Sequence, residues 1–373
     1  MSRRSKRRER RQQKRQKPPE NISQIADLQI LYDAVKKTSR LVRWKQSVQR
    51  FNIHILFKIH RLKNEILAGK DIRKGFTKFY IYERGKRREI QSLKFSERIV
   101  QSVICSEILM PRFGSSFIKE NSASQVGKGT LFASKLLETH LKNFLRKHGK
   151  GYILTIDFSK YFENIQHRPL IDFYKKNLTD EKVKKLMISF ITAYDKGLGL
   201  GSETSQFNAI LYVNKIDHYI KHHFKYYGRY MDDSYIISED KEKLKEFTKI
   251  LFEMYSEIGI VVNEKKTKIV PLTQHFSFLK TRYKIVGNKI VKKPSRSSIT
   301  RARRRFKKMI SLMQRGVLTP EEIERSFQAW RGSMIHRHAR KVLYKIRKEL
   351  NHAICLQLNN GRICNDNAVR NRD

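Results

Sequence analysis

The chain has 373 residues, of which 39% are hydrophobic, and its 81 Lys and Arg against 35 Asp and Glu give a formal net charge of +46. This length and hydrophobic fraction predict a folded protein of one large domain or two to three subdomains, and exclude a disordered chain. Nucleic acid is the natural partner for so large a positive charge, because phosphates release counterions on binding. A membrane surface is the alternative, but no apolar run approaches the roughly 20 residues of a membrane span.

The cysteines and the N-terminus narrow the class of protein further. Cys105, Cys355 and Cys364 form no CxxC pair, which argues against a zinc finger and against a disulfide-stapled secreted domain. No apolar segment follows the basic first residues, so we predict no signal peptide and expect a cytoplasmic protein. Residues 1–20 hold ten Lys and Arg, two Glu and almost nothing apolar. They predict a disordered tail that binds phosphates, with a solubility tail as the alternative.

The first two thirds of the chain alternate between helical and extended patterns. Apolar residues at helical spacing predict helices over 28–67, and alternation predicts a hairpin over 76–90. Residues 96–109 predict a buried helix. Tyr152–Ile156 predicts a short buried strand that ends next to an aspartate, and residues 207–224 predict a single helix.

The remaining elements are marked by turns and caps. Residues 226–237 predict two short strands around a turn. Ser238 is the expected N-cap of a helix that runs to Gly259, where a left-handed residue would end it. The segment 295–350 is predicted to be helical and very basic, and one of its helices opens with the capping box and N-terminal proline of Thr319-Pro320-Glu321-Glu322.

Two acidic signals are predicted to converge. Asp232-Asp233 stands in the turn between two strand-forming segments, and Asp157 follows a buried strand. If these strands pair, Asp157 and Asp232 meet, as phosphoryl transfer requires when it uses two Mg²⁺ ions about 3.5–4 Å apart. Mg²⁺ prefers carboxylate oxygens to His or Cys. Taken alone, a pair of aspartates in a turn is usually an ordinary turn.

Further motifs stand in order around these acids. They are Lys86-Arg87-Arg88-Glu89-Ile90, Arg98-Ile99-Val100-Gln101, Gly127-Lys128-Gly129, Asp157-Phe158-Ser159-Lys160-Tyr161-Phe162, Gly201-Ser202-Glu203-Thr204-Ser205-Gln206, Tyr230-Met231-Asp232-Asp233, Asn263-Glu264-Lys265-Lys266-Thr267, Phe278-Leu279 and Ser326-Phe327-Gln328-Ala329-Trp330-Arg331-Gly332. Their sequence and order resemble the reverse transcriptase family over residues 86–350. Two positions depart from its pattern: Lys280 follows Leu279 where glycine is usual, and no tyrosine precedes Gly127.

This resemblance implies an α+β fold, the right-hand polymerase with fingers, a palm built on a small antiparallel sheet backed by helices, and a helical thumb. The implied domains are a basic disordered tail at 1–20, fingers with N-terminal helices at 21–150, a palm with part of the fingers interleaved at 151–275, a primer-grip hairpin at 276–294, the thumb at 295–350 and a C-terminal tail at 351–373. The implied activity is RNA-directed DNA synthesis.

The resemblance also implies a role for each matching residue. The catalytic residues would be Asp157, Asp232 and Asp233, and the metal site would comprise these three and Phe158. Nucleotide binding would fall to Lys86, Arg88, Phe162, Gly201, Gln206 and Lys266. Fidelity would depend on Arg88 and Leu200. The thumb residues that bind nucleic acid would be Arg301, Arg304, Arg305 and Lys308.

Each role has a simpler alternative. Phe162 would be the sugar gate, because an aromatic ring there clashes with a ribonucleotide's 2′-hydroxyl; packing with Tyr161 in the core is the alternative. Lys86 and Arg88 would make charge-assisted bonds to the triphosphate, or remain solvated. Lys266 would protonate the departing pyrophosphate, or merely cap a strand.

The implied cofactor is Mg²⁺ as two ions, with Mn²⁺ as a possible substitute. The implied partners are a structured RNA template, an RNA–DNA duplex, deoxynucleoside triphosphates, and an accessory protein or a second copy of the chain, with no membrane. Leu200 before Gly201 resembles the bacterial or phage-encoded enzymes of diversity-generating retroelements, which make errors at template adenine. Defence-associated enzymes share parts of this pattern. A non-catalytic, maturase-like RNA-binding scaffold and an RNA-copying RNA polymerase are the alternatives from other classes.

Overall fold

The structure, a computed structural model, describes residues 20–83 and 86–358. The predicted tail at 1–20 therefore falls outside the described residues except for Glu20, whose carboxylate lies 2.9 Å from the guanidinium of Arg112. The C-terminal tail at 351–373 is described only as far as residue 358. Two compact units divide the chain, the first formed by 1–133, 156–234 and 242–267, and the second by 134–155, 235–241 and 268–373.

The first unit begins with four helices: α1 (Ile22–Ile25), α2 (Leu28–Ser39), α3 (Gln46–Ile53) and α4 (Ile55–Leu67). They confirm the helical prediction for 28–67. Helix α2 begins at an Asp27 N-cap, whose carboxylate accepts the Ile30 amide at 2.9 Å, which satisfies one of the donors left open at a helix start. The apolar stripes of α2 and α4 are buried and pack against each other.

A hairpin and a buried helix follow. Strands β1 (Phe76–Glu83) and β2 (Lys86–Leu93) pair antiparallel, as predicted. Helix α5 (Phe95–Ile104) continues as a π-helical turn, Cys105–Leu109, before α6 (Met110–Phe113). Nearly every side chain of α5 is buried, which confirms the predicted buried helix. The helix packs on α2, and long helix α7 (Thr130–His148) comes next.

Helices and strands then alternate. Strand β3 (Tyr152–Ile156) precedes α8 (Tyr161–Asn164), α9 (His167–Asn177), α10 (Glu181–Ile191), α11 (Glu203–Tyr212) and α12 (Asn214–His223). The prediction of one helix over 207–224 was wrong. The backbone breaks at Val213, with φ −101° and ψ 9°, and the carbonyl of Val213 accepts the Asp217 amide at the start of α12. A β-branched residue at the junction fits this break, because it is a weak helix former.

The strands β4 (Tyr226–Tyr230) and β5 (Asp233–Ser238) confirm the predicted strand–turn–strand segment. A four-stranded sheet has the order β4-β5-β3-β6, where β6 is Lys268–Pro271 and pairs antiparallel with β3. Helix α13 (Lys241–Glu257) begins three residues later than Ser238, whose hydroxyl instead accepts the Asp240 amide at 3.2 Å. Gly259 has φ +75°, as the predicted C-terminal stop requires.

The second unit holds the remaining strands and helices. Strands β7 (Phe276–Phe278), β8 (Thr281–Val286) and β9 (Lys289–Pro294) form an antiparallel sheet in that order. Helices α14 (Arg296–Gln314), α15 (Pro320–Met334) and α16 (Arg340–Leu358) surround a small core centred on Phe306, Phe327 and Trp330. The capping box at Thr319 is present, as predicted. Among the described helices, none is both long and apolar enough to cross a bilayer.

Candidate active site

Asp157 immediately follows strand β3 and is fixed through its backbone. Its carbonyl accepts the Asn263 amide at 2.8 Å, and the Ser159 amide donates to the Val261 carbonyl at 2.8 Å. These two bonds flank an antiparallel bridge between Phe158 and Val262. The bridge does not use the Phe158 carbonyl, because its hydrogen bonds run through the residues on either side.

Lys266 makes an ion pair with Asp157. The Lys266 Nζ lies 2.7 Å from Asp157 Oδ2, and the Lys266 side chain is 64% exposed where that of Asp157 is 16% exposed. Lys266 belongs to a turn that closes on the Asn263 carbonyl, which accepts amides from Lys266 and Thr267 at 3.1 and 2.8 Å. The same residue, Asn263, therefore fixes both partners of the ion pair. The structure thus brings two of the residues predicted for the site into direct contact.

Asp232 lies in the turn between β4 and β5, Asp233 is the first residue of β5, and both are half-buried. Met231 precedes them with φ +54°, in the left-handed region that non-glycine residues seldom adopt. Such a conformation costs about 1–3 kcal/mol unless the surrounding structure holds it. The turn therefore needs an additional support.

Arg229 provides that support. Its guanidinium is fully buried in an ion pair with Asp217, with Nε at 2.8 Å from Oδ1 and Nη2 at 2.6 Å from Oδ2. The Tyr227 hydroxyl also donates to Asp217 Oδ1, at 2.6 Å. Arg229 Nη1 donates to the carbonyl of Met231 at 3.0 Å, which ties the left-handed residue to the buried pair.

The electrostatics of this pair keep it charged. Burial by itself lowers the pKa of the Arg229 guanidinium, but the charge and hydrogen bonds of Asp217, together with Tyr161 and Tyr227, outweigh burial and the pKa is raised. Neither Arg229 nor Asp217 was among the residues predicted for the site. The available signal was a charged residue inside the buried segment 226–230, because a buried charge requires a partner.

The Gly127-Lys128-Gly129 motif supports the same strand. The segment before it bridges β4, with the Ser122 amide donating to the Arg229 carbonyl at 2.9 Å and the Arg229 amide donating to the Glu120 carbonyl at 3.3 Å. Lys128 Nζ donates to the Asn121 carbonyl at 2.8 Å. Burial lowers the pKa of the Lys128 ammonium. In the described residues this lysine thus stabilises the segment that pairs with β4.

Phe162 and its neighbour Tyr161 have different environments. Tyr161 is buried and its hydroxyl donates to the Ala209 carbonyl, whereas Phe162 is half-buried with its ring 5.7 Å from that of Tyr161. Gly197 packs on the backbone here, because a Cβ at Gly197 would lie 2.4 Å from the Phe162 carbonyl oxygen. Only glycine fits at that position. Tyr161 therefore takes the core position of the pair, and part of the Phe162 ring stays accessible.

The Gly201–Gln206 motif opens helix α11. Gly201 has φ +91°, a conformation that favours glycine, and nothing lies within 4 Å of where its Cβ would be. Ser202 is the N-cap of the helix and accepts the Ser205 amide at 3.2 Å. Gln206 Oε1 accepts the Ser124 hydroxyl at 2.8 Å. Leu200 is 45% exposed beside this turn.

Other predicted residues lie elsewhere or outside the described atoms. Lys86 and Arg88 belong to strand β2, and their side chains are outside the described residues. The four residues predicted to bind nucleic acid lie on α14 in the second unit and are exposed: Arg301, Arg304, Arg305 and Lys308. The opposite side of this helix buries Ala302 and Phe306, so the basic side chains point away from the local core.

The oxygen donors of the predicted metal site fit a hard divalent cation by their chemistry. Asp157, Asp232 and Asp233 offer carboxylate oxygens and Phe158 offers a carbonyl outside its bridge, which are the ligand types that Mg²⁺ prefers. Within residues 20–83 and 86–358, no three His, Cys, Asp or Glu side chains already form a metal-binding group. The Lys266 ammonium balances the charge of Asp157 in this arrangement.

Comparisons with known proteins identify the family. Among solved structures, the chain is similar to apo telomerase from Candida tropicalis truncated from its C-terminal domain, with 14% identity and a TM-score of 0.46 over 58% of this chain and 55% of that chain. The chain thus spans about half the length of that structure. No curated protein sequence matches it. The family described as Reverse transcriptase (RNA-dependent DNA polymerase) matches residues 72–290, more than half of the chain. The chain, with its mixed helices and small antiparallel sheets, therefore belongs to the reverse transcriptase family.

Proposed function

We propose that this protein is an RNA-directed DNA polymerase that synthesises complementary DNA on an RNA template by two-metal phosphoryl transfer. The observation that carries the proposal is the half-buried set of carboxylates within the matched family region. Asp157 follows the end of β3, and Asp232 and Asp233 lie at the turn into β5, which a buried ion pair supports. A scaffold that only binds RNA would not need carboxylates, which repel phosphates.

The proposed mechanism assigns a task to each side chain. Asp157, Asp232 and Asp233, with the Phe158 carbonyl, would hold Mg²⁺, and Mn²⁺ would substitute. The ions would activate the attacking 3′-hydroxyl and neutralise charge on the leaving pyrophosphate. Lys266 lies 2.7 Å from Asp157 and is largely exposed, so its ammonium can turn to the departing pyrophosphate and donate a proton.

The proposal is tested by Asp232→Asn. We expect Mg²⁺-dependent extension of a primer on RNA to be abolished, while RNA affinity and the unfolding midpoint stay within error of the wild type. Asp33→Asn is the matched control, because Asp33 is an exposed aspartate on α2 and makes a hydrogen bond with Gln29. Full extension by Asp232→Asn would refute the assignment of this residue.

Phe162 would select deoxynucleotides as the sugar gate. The support is its half-buried ring, since Tyr161 already fills the core position. Phe162→Ala should raise incorporation of ribonucleotides relative to deoxynucleotides, and Phe162→Tyr should retain the wild-type ratio because it keeps the ring. If Phe162→Ala lowers stability and leaves the ratio unchanged, the ring serves packing alone.

Within the family, we propose a bacterial or phage-encoded enzyme of a diversity-generating retroelement, working with a structured RNA and an accessory protein. The support is Leu200, an exposed aliphatic residue beside the left-handed Gly201. An aliphatic side chain that contacts the base pair would check it by shape and not by hydrogen bonds. A loss of about 1.4 kcal/mol of polar discrimination raises an error ratio about tenfold.

Counting errors by template base tests this lineage. We expect misincorporation concentrated opposite template adenine when the enzyme copies an RNA of mixed sequence, and Leu200→Gln should lower the total. Errors spread evenly over the four bases would favour a defence-associated enzyme instead.

A further inference from the structure

Five large apolar side chains are exposed on the N-terminal helices. Leu41 is 86% exposed, Trp44 75%, Ile53 74%, Leu56 70% and Phe57 67%. They lie in the turn before α3 and at the junction of α3 and α4. Such a concentration of exposed apolar side chains marks an interaction surface. We name residues 40–61 the N-terminal surface.

The exposed side chains are not needed for the local core. Helices α3 and α4 already bury an apolar side formed by Val48, Phe51, Ile59 and Leu62. Phe51 packs edge-on against Phe95 of α5, with ring centroids 5.1 Å apart. The apolar residues of these helices thus fall into two groups, and only one of them contributes to folding.

The charge of the segment points to a polyanion. Residues 36–63 contain nine Lys and Arg and no Asp or Glu. Two of the nine pair with acids elsewhere, Lys37 with Glu203 at 3.2 Å and Arg61 with Glu65 at 3.0 Å. In the described part of the chain no ion pair involves the other basic residues of the N-terminal surface, which are Arg40, Arg43, Lys45, Arg50 and Lys58. An acidic ligand is therefore favoured.

Residues of α3 and α4, the same two helices, line a basic cavity. It has a volume of about 370 Å³, and Arg50, Lys58, Arg61 and Lys74 line it. Glu65, its one acidic side chain, pairs with Arg61 and with Lys74 at 3.4 Å. Arg50 and Lys58 thus present charge that this glutamate does not balance. The space and charge suit a phosphate group.

We propose that the N-terminal surface is a binding site for single-stranded nucleic acid, with the RNA template as its ligand. Unpaired bases stack on the rings of Trp44 and Phe57, and phosphates contact Arg50 and Lys58. Stacking of this kind requires unpaired bases, because a duplex hides their faces. The surface precedes residues 72–290, the part that matches the family, so the match does not assign it. A protein partner is the competing occupant, and the lack of acids in 36–63 disfavours a basic one.

The test compares binding of a labelled single-stranded 20-mer RNA with a duplex of the same sequence by fluorescence anisotropy. Trp44→Ala with Phe57→Ala should weaken single-strand binding about tenfold or more, at roughly 1–3 kcal/mol per stacked base, and leave duplex binding unchanged. The control is Tyr344→Ala, since Tyr344 is equally exposed on α16 of the second unit. A single-stranded DNA 20-mer distinguishes RNA from DNA as the preferred ligand.

A charge variant separates the phosphates from the bases. Arg50→Gln with Lys58→Gln should flatten the dependence of log affinity on log salt by about 0.7 per lost contact. Lys175→Gln with Lys176→Gln is the matched control, because these lysines are exposed on α9. If the slope of log affinity against log salt is unchanged in the Arg50 and Lys58 variant, these two side chains do not bind phosphates.

Intrinsic fluorescence gives a direct readout of stacking. The chain has two tryptophans, the exposed Trp44 and the buried Trp330. Single-stranded RNA should quench the emission of the wild type, and Trp44→Phe should abolish the quenching. Unchanged RNA binding in the Trp44 and Phe57 variant, together with loss of self-association in light scattering, would assign the surface to a second copy of the chain.

The identity of the ligand as a template rests on the proposed polymerase activity, whereas the binding of a single strand by the N-terminal surface does not. Asp232→Asn should bind the single strand as tightly as the wild type does, because the N-terminal surface lies outside the catalytic residues. A protein that binds the 20-mer through Trp44 but extends no primer would overturn the proposed function and keep the surface. An active polymerase whose affinity for single-stranded RNA is unchanged by the substitutions at Trp44, Phe57, Arg50 and Lys58 would overturn the proposed surface and keep the proposed function.

Discussion

The turn between β4 and β5 and the N-terminal surface use charge in opposite ways. At the turn, the guanidinium of Arg229 is wholly buried, pairs with Asp217 and holds a backbone carbonyl. On the N-terminal surface, Arg50 and Lys58 line an open cavity and form no ion pair within the described residues. The first arrangement fixes a backbone conformation, and the second leaves charge available for a ligand. The environment of a basic residue, more than its identity, therefore indicates whether it serves structure or binding.

The two regions should respond differently to substitution. Removing one partner of a buried ion pair leaves an uncompensated charge and costs about 3–5 kcal/mol. Removing an exposed charge changes stability by less than about 0.5 kcal/mol. Four predictions on the free energy of unfolding test this contrast.

Arg229→Met should have the largest effect. It leaves Asp217 buried without a cation, so we expect a loss of about 3–5 kcal/mol in urea unfolding. The double variant Arg229→Met with Asp217→Leu should recover most of that stability, because it removes both charges. Primer extension should stay low in the double variant, since the Met231 carbonyl still lacks its donor. Recovery of extension together with stability would show that Arg229 serves the fold alone.

Glu97→Gln extends the test from a buried base to a buried acid. Burial raises the pKa of the Glu97 carboxyl to about 7. The hydrogen bond from the Lys74 backbone, the charge of Arg73 and the hydrogen bond from Gln101 lower the pKa, but by less than burial raises it. Between the ordinary value and pH 7 the folded protein holds a proton that the unfolded chain has lost, so stability falls as pH rises through that window.

We therefore expect Glu97→Gln to be more stable than the wild type at pH 8, by up to about 3 kcal/mol. Below pH 4 the two proteins should be equally stable, because the carboxyl is then protonated in both states. Urea unfolding of both proteins across this range measures the difference. Parallel pH profiles would contradict the raised pKa.

Tyr227→Phe should have a smaller effect. It removes the hydroxyl that donates to Asp217 Oδ1 at 2.6 Å and leaves the ion pair intact. A hydrogen bond to a charged group contributes about 1.5–3 kcal/mol, and the remaining bonds from Arg229 should keep the loss near the lower figure. Thermal unfolding measures it. A loss as large as that of Arg229→Met would mean that the three residues act as one unit.

Arg50→Gln with Lys58→Gln should have the smallest effect on stability, within about 0.5 kcal/mol. These side chains have no ion pair to lose in the described residues, so their substitution should change RNA binding alone. Urea unfolding of the variant and of Lys175→Gln with Lys176→Gln gives the comparison. A marked loss of stability in the first variant would indicate a structural role for the cavity.

Local patterns predicted much of this fold. The strands on either side of Asp232-Asp233 and the capping box at Thr319 followed from alternation and from cap residues a few positions apart. The single helix predicted over 207–224 was wrong, because periodicity continues across the break at Val213. Ser238 was placed too early as a cap, since Ser and Asp near a helix start compete for that role.

The candidate site was predictable only in part. Its acids and Lys266 stand in recognisable motifs, and the structure joins Lys266 to Asp157. The partnership of Arg229 and Asp217 could not be read from either residue, because it depends on how a strand packs against α12. Nor did Gly197 signal its contact with the backbone of Phe162, which lies far away in sequence. Contacts that depend on tertiary packing produce no periodic pattern in the sequence.

The ion pair between Lys266 and Asp157 has a consequence for how this site would load its metals. The ammonium of Lys266 neutralises Asp157, one of the proposed metal ligands, so an arriving divalent ion would exchange with that ammonium instead of meeting a bare carboxylate. The same exchange would free Lys266 for its proposed role as proton donor to the pyrophosphate. Cation loading and the readiness of a proton donor would thus be a single coupled event.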